Sequence, residues 1–172
     1  MALAHNGNLV NALALRREME ARGHRFEATS DTEIMLRMVV EEAAETGSVE
    51  EAVARCMPRW IGAYSVTILT EQSVMAARDP YGVRPLCIGQ LNGEALVFAS
   101  ETCALNVIGA QLVREVKPGE LVVGDKEGMG SRQVVSSPRH ALCVFEYIYM
   151  ARPDSELLGR LVHEARRRLG QQ

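Results

Sequence analysis

The sequence predicts an α+β protein in which sheet packs on sheet with helices outside. Three observations carry this expectation. The first third of the chain has apolar residues three and four positions apart, the spacing of amphipathic helices. After Pro58 the period changes to two. Turn signals at Asn92-Gly93, Pro118-Gly119 and Gly128–Gly130 then cut the rest into hairpin-sized pieces.

Taken in order, Ala2-Leu3-Ala4 reads as the end of a strand whose start is missing, followed at once by an Asn6-Gly7 turn. Asn8 is placed to cap a helix over 9–22, with Leu9/Leu13 and Leu15/Met19 four apart and Gly23 as the stop. Ser30-Asp31-Thr32-Glu33 and Ser48-Val49-Glu50-Glu51 are capping boxes, serine followed three residues later by glutamate. The first opens a helix carrying Met35, Met38 and Val39; the second puts Val49, Ala52, Val53, Cys56 and Met57 on one face. Tyr64, Val66 and Ile68 alternate with Ser65, Thr67 and Leu69 as a half-buried strand, paired with 74–77. Residues 86–91 and 94–99 form a hairpin, its Asn92-Gly93 suited to a type I′ turn. A short helix over 101–107 is expected, then strands near 112–116, 120–124, 132–136 and 141–149. Asp154 or Ser155 caps a last helix with Leu158, Leu161, Val162, Ala165 and Leu169 on one side, weakened by Gly159.

Length and composition fit one globular domain: 172 residues, net charge −3, 24% charged and 47% hydrophobic. This excludes a disordered or collagen-like chain, and the mild acidity gives no electrostatic case for nucleic acid or an anionic membrane. No apolar run approaches the roughly 18 residues of a membrane span. The first residues have neither the basic start nor the apolar run of a secretory signal. Cys56, Cys87, Cys103 and Cys143 contain no Cys-x-x-Cys pair, so free thiols in a reducing cytoplasm are expected.

Four stretches offer chemistry. In His5-Asn6-Gly7-Asn8, the Asn6 carboxamide and the Gly7 N–H are two donors able to converge on an oxyanion; equally, Asn-Gly is an ordinary turn before a helix. Asp31, in a first helical turn, either complements the helix dipole or binds a substrate ammonium. Arg78-Asp79-Pro80-Tyr81-Gly82-Val83-Arg84-Pro85 is a turn-rich loop, braced by Arg–Asp pairing. Glu146 to Ser155 is an aromatic strand ending in a charged turn, either a purely structural connector or one that also transmits a signal. There is no GxSxG, HExxH or phosphate-binding loop signature.

His5-Asn6-Gly7-Asn8-Leu9, Thr29-Ser30-Asp31-Thr32-Glu33, Arg78-Asp79-Pro80-x-Gly82-x-Arg84-Pro85-Leu86 and Ser100-Glu101-x-Cys103-Ala104-Leu105, in this order, resemble the glutaminase domain of class II glutamine amidotransferases. The ending Phe145-Glu146-Tyr147-Ile148-Tyr149-Met150-Ala151-Arg152-Pro153-Asp154-Ser155 resembles one branch, the amidophosphoribosyltransferases. The resemblance implies the four-layer α/β/β/α sandwich of N-terminal nucleophile hydrolases, incomplete at its N-terminus. It divides the chain into a partial glutaminase domain, 1–150, and a connector with a first helix, 151–172, leading to a missing phosphoribosyltransferase domain.

The implied reaction hydrolyses glutamine and passes ammonia to phosphoribosyl pyrophosphate, giving 5-phosphoribosylamine in purine synthesis. By the same resemblance, Asn6 and Gly7 form the oxyanion hole and Asp31 holds the glutamine α-ammonium, while Tyr147, Tyr149, Arg152 and Asp154 are interdomain residues. The resemblance also implies a cytoplasmic homo-oligomer, with Mg2+ in the other domain. Some members carry a 4Fe-4S cluster, for which Cys143 matches one ligand position. The family's nucleophile, a cysteine at the mature N-terminus with its own amine as base, matches none of the four cysteines. The sequence therefore reads as an internal piece begun at an accidental Met1, inactive by itself. The rival readings are another class II amidotransferase, such as glucosamine-phosphate synthase, and a non-catalytic scaffold that lost its nucleophile.

Overall fold

A computed structural model describes residues 1–171. Strand alternation builds its layers. In β2 (Gly62–Leu69), Tyr64, Val66 and Ile68 face one way, and they join Met75 and Ala77 of β3 (Val74–Arg78) and Leu121 of β7 (Glu120–Asp125) in one core. That face is covered by α1 (Ala12–Ala21), α2 (Asp31–Thr46) and α3 (Val49–Cys56). The intervening residues, Ala76 and Val122, turn the other way and meet Ile88 of β4 (Cys87–Leu91) with Leu96 and Phe98 of β5 (Ala95–Ala99). Cys87, on the far side of β4, packs with Leu105 of α4 (Thr102–Val107). The order is helices, sheet, sheet, helix, the four-layer sandwich expected.

The first sheet runs β1-β2-β3-β7-β8, and the second β5-β4-β6, with β1 spanning Ala2–Leu9, β6 Gln111–Glu115 and β8 Gly128–Gln133. All pairings in both sheets are antiparallel. Both serine caps form: Ser30 Oγ accepts the Glu33 N–H and Ser48 Oγ that of Glu51. Glu33 does not close the first box on Ser30; its carboxylate takes the N–H groups of Glu27 and Ala28, which hold it below the usual carboxylate range. Asn92 and Gly93, at φ of 55° and 77°, make the type I′ turn. Five methionines (19, 35, 38, 57 and 75) fill the core between helices and first sheet. Among the described residues no helix is long and apolar enough to cross a membrane.

Five local expectations are corrected. Asn6-Gly7 is not a turn but the middle of an eight-residue strand. Gly7, at φ +149°, lies so close to β2 that a Cβ would stand 2.1 Å from the Ala63 carbonyl oxygen, a close backbone approach only glycine permits. Because residues 8 and 9 remain extended, α1 starts at Ala12, and Asn11 braces Arg59 O and Ile61 N instead of capping. The turn before β8 is at Lys126-Glu127, so Gly128–Gly130 are already strand. Residues 146–150 form a π-helical turn, not a strand. The aromatic alternation misled, because the rings that meet are Phe145 and Tyr149, four apart and 5.6 Å between centroids. Leu158 and Gly159, both at positive φ, turn a small hairpin between β9 (Glu156–Leu157) and β10 (Arg160–Leu161), so α5 begins only at Val162 (Val162–Leu169).

The loop after β3 is braced differently from expectation too. Arg78, wholly buried, donates to the carbonyls of Arg84 (2.8 Å), Val116 (2.7 Å) and Gly82 (3.2 Å) and to Glu115 (3.2 Å). Asp79 turns away to accept the N–H groups of Tyr64, Tyr81 and Val83. Burial pushes the Asp79 carboxyl up, against the pull of those amides. Arg78→Met leaves three carbonyls and a carboxylate without their donor and is expected to lower stability by about 3–5 kcal/mol in urea denaturation. Arg78→Lys should recover only part of this, since an ammonium lacks the guanidinium's planar fork.

Candidate active site

β1 is an edge of its sheet, bonded on one side to β2. The Val10 N–H reaches Ile61 O at 2.8 Å. In an antiparallel ladder every second residue then turns its N–H away from the partner strand, here Leu9, Gly7 and His5. Leu9 obeys: its N–H is taken at 2.9 Å by Asp31 Oδ2, from the first turn of α2. Gly7, one step earlier on the same side, directs its amide off the open edge.

The side chains separate by the same alternation. Leu3, His5 and Leu9 face the helices. His5, its ring almost wholly covered, places Nδ1 3.3 Å from Asp31 Oδ1 and Nε2 3.5 Å from Ala63 O. Asn6 faces the second sheet, where its Nδ2 donates to Ser100 Oγ at 3.5 Å, just past the end of β5. Asn6 and Gly7 are thus adjacent donors, one carboxamide and one peptide. Asp31 flanks them across the strand rather than beside the carboxamide. Its carboxylate has a double duty, pinning β1 and lying at the N-terminus of α2, where the dipole favours negative charge. The clefts around Gln72 and Lys126 lie at the other end of the sheets and include none of these residues.

The connector residues are gathered elsewhere. Tyr147 donates its hydroxyl to Leu157 O at 2.6 Å, and burial pushes that phenol up. Arg152 and Asp154 form a bidentate exposed pair at 3.0 and 2.9 Å, while Tyr149 is largely in solvent. What holds the segment is a set of carboxylates the sequence reading did not single out. Glu101 Oε2 accepts Arg152 N–H and Ser155 Oγ–H, both at 2.7 Å, and Glu115 Oε1 accepts Leu158 N–H at 2.6 Å. Glu146, buried, meets Arg84 at 2.8 Å. For Glu101 and Glu146 the only signal was an acidic residue within a motif, and Glu115 lies in none; the partners are set by tertiary packing.

All four cysteines are free. Burial pushes the thiols of Cys56 and Cys87 up to about 12. Cys103 is buried facing Glu101, and Cys143 is half-buried, with its N–H on Val83 O. Among the described residues no group of three or more His, Cys, Asp or Glu could hold a metal ion.

With this geometry in view, the model of the glutamine amidotransferase domain matches residues 1–107, and the chain belongs to that family. It is similar to the amidophosphoribosyltransferase of Bacillus subtilis (strain 168), 43% identical over 99% of this chain and 35% of the relative. It is similar also to that of Synechococcus elongatus, at 44% over 99% and 35%. The chain thus spans about a third of the length of these relatives. A solved structure of the B. subtilis glutamine phosphoribosylpyrophosphate amidotransferase, complexed with ADP and GMP, superposes with a TM-score of 0.92 at 42% identity, over 99% of this chain and 37% of that one. A class-II domain protein from Silicibacter pomeroyi, 18% identical with a TM-score of 0.53, over 77% of this chain and 65% of its own, shares the fold.

Iodoacetamide labelling of the native protein at pH 8, read by peptide mass spectrometry, should modify Cys143 first. Cys56, Cys87 and Cys103 should label only on denaturation. Rapid native labelling of Cys56 or Cys87 would show those sites to be open.

Proposed function

We propose that this chain is the glutaminase part of an amidophosphoribosyltransferase, which hydrolyses glutamine and delivers ammonia to phosphoribosyl pyrophosphate, forming 5-phosphoribosylamine at the entry to purine synthesis. The observation that carries the reading is the adjacent donor pair at Asn6 and Gly7 on the open edge of β1. The similarity of nearly the whole chain to amidophosphoribosyltransferases supports it.

In this reading a cysteine thiolate attacks the glutamine side-chain carbonyl. The carbonyl electrons move to oxygen, and that oxyanion sits between the Asn6 Nδ2–H and the Gly7 N–H. Collapse expels ammonia with a proton from the general base and leaves a thioester, which water hydrolyses to glutamate. Asp31 contributes negative charge for the glutamine α-ammonium. By the family resemblance the nucleophile is a cysteine at the mature N-terminus; the buried, elevated thiols of Cys56 and Cys87 are unsuited to that role.

Tyr147, Tyr149, Arg152 and Asp154 are assigned to the approach to a phosphoribosyltransferase domain, with its Mg2+. The boundary near residue 150 is part of the same proposal, as are a cytoplasmic location and a homo-oligomer. Cys143 would supply one ligand of the 4Fe-4S cluster that some members carry, the others belonging to the phosphoribosyltransferase domain; among the described residues no further ligand accompanies it.

Two outcomes check this. The 172-residue polypeptide by itself should release no ammonia from glutamine above a heat-inactivated blank. In the full-length parent, Asn6→Ala should cost about 2.7–4 kcal/mol of transition-state stabilisation in glutamine-dependent turnover while sparing turnover with free ammonia. Equal loss with both nitrogen sources would make Asn6 structural.

A further inference from the structure

The proposed oxyanion donor and the connector meet at one dipeptide. Ser100 Oγ accepts from Asn6 Nδ2 at 3.5 Å. The next residue, Glu101, holds Arg152 N–H and Ser155 Oγ–H on a single carboxylate oxygen, each at 2.7 Å. Thr102, following, accepts Glu156 N–H at 2.8 Å. A carboxamide is free to rotate about its last torsion, and its oxygen and nitrogen are alike in size. A serine hydroxyl can accept from the NH2 group or donate to the oxygen, and here Ser100 Oγ accepts, so the NH2 group faces it. One Nδ2 hydrogen is then directed at Ser100, in a long contact of 3.5 Å, and the second is left to point elsewhere.

We infer that Ser100 is a positioning residue for the Asn6 donor and that Glu101 couples this position to the connector, so that the course of residues 152–156 sets the efficiency of glutamine hydrolysis. The inference rests on the function proposed above. Its logic is mechanical: Ser100 and Glu101 are consecutive, so displacement of the connector's Arg152 amide and Ser155 hydroxyl pulls on Glu101 and shifts the Ser100 hydroxyl against Asn6. A loss of a few tenths of an ångström at a 3.5 Å contact releases it. Ser100 touches no substrate atom in this scheme, and the α-ammonium contact at Asp31 lies across the strand, so the effect belongs to turnover and not to glutamine affinity.

The test uses the full-length parent with steady-state rates on glutamine and on free ammonia. Ser100→Ala should lower kcat with glutamine about tenfold, leave KM for glutamine within about twofold and leave the ammonia-dependent rate unchanged. Ser100→Thr, which keeps the hydroxyl, should restore most of the loss. Glu101→Ala should show the same pattern more weakly, whereas Glu101→Gln retains an oxygen able to accept both connector groups and should stay near wild type. Equal loss on both nitrogen sources, a change confined to KM, or a Ser100→Thr as poor as Ser100→Ala overturns the inference. If Asn6→Ala is impaired while Ser100→Ala is not, this inference alone fails; if Asn6→Ala is harmless, the reading of the site fails and takes this one with it.

Discussion

The constraint on which the rest of the structure depends is a guanidinium with no access to water. Arg78 ends the third strand of the first sheet, and four of its N–H donors are spent on the loop that crosses to the second sheet and on the end of β6. Removing such a charge from water is costly unless its donors are satisfied, so the crossing loop has little freedom about where its carbonyls lie. Arg84, within that loop, carries the constraint outward to buried Glu146 and thereby to the connector. The two sheets are stacked by apolar contact, but this polar spine fixes their relation at the end where Asn6 and Ser100 meet.

Much of this was legible in the sequence wherever the deciding forces are local. The capping serines at 30 and 48 act within three residues, and the Asn92-Gly93 turn is a property of two. The layer order followed from alternation on β2 and from helical spacing before Pro58. What escaped was set at long range. Asn6-Gly7 is a turn by local preference, and only the approach of Ala63 makes it strand. Phe145 to Tyr149 alternates like a strand, but its contacts with Arg84 and Leu157, with the Phe145–Tyr149 ring pair, go with a helical turn. Gly159, taken as a flaw in a helix, is half of a hairpin turn.

The site shows the same division. Asn6, Gly7 and Asp31 could be named from their motifs, and β1 does bring Asp31 to residues five through nine. Their arrangement across the strand could not be read without knowing that residues 2–9 are extended; with that, parity alone separates Asn6 from His5. Glu101 and Glu115 are invisible to any local rule, since each becomes an anchor only when a segment some forty or more positions later folds back on it.

The methionine-filled layer beneath α2 has a consequence for how the protein ages. Peroxide converts a thioether to a polar, chiral sulfoxide, and there is no partner for that oxygen among the apolar neighbours of Met35 and Met38. Their complete cover makes attack depend on transient opening, so damage would accumulate slowly and then disrupt abruptly. The casualty would be the seating of α2, whose first residue is Asp31, and oxidative wear there would register as a loosened grip on the edge strand.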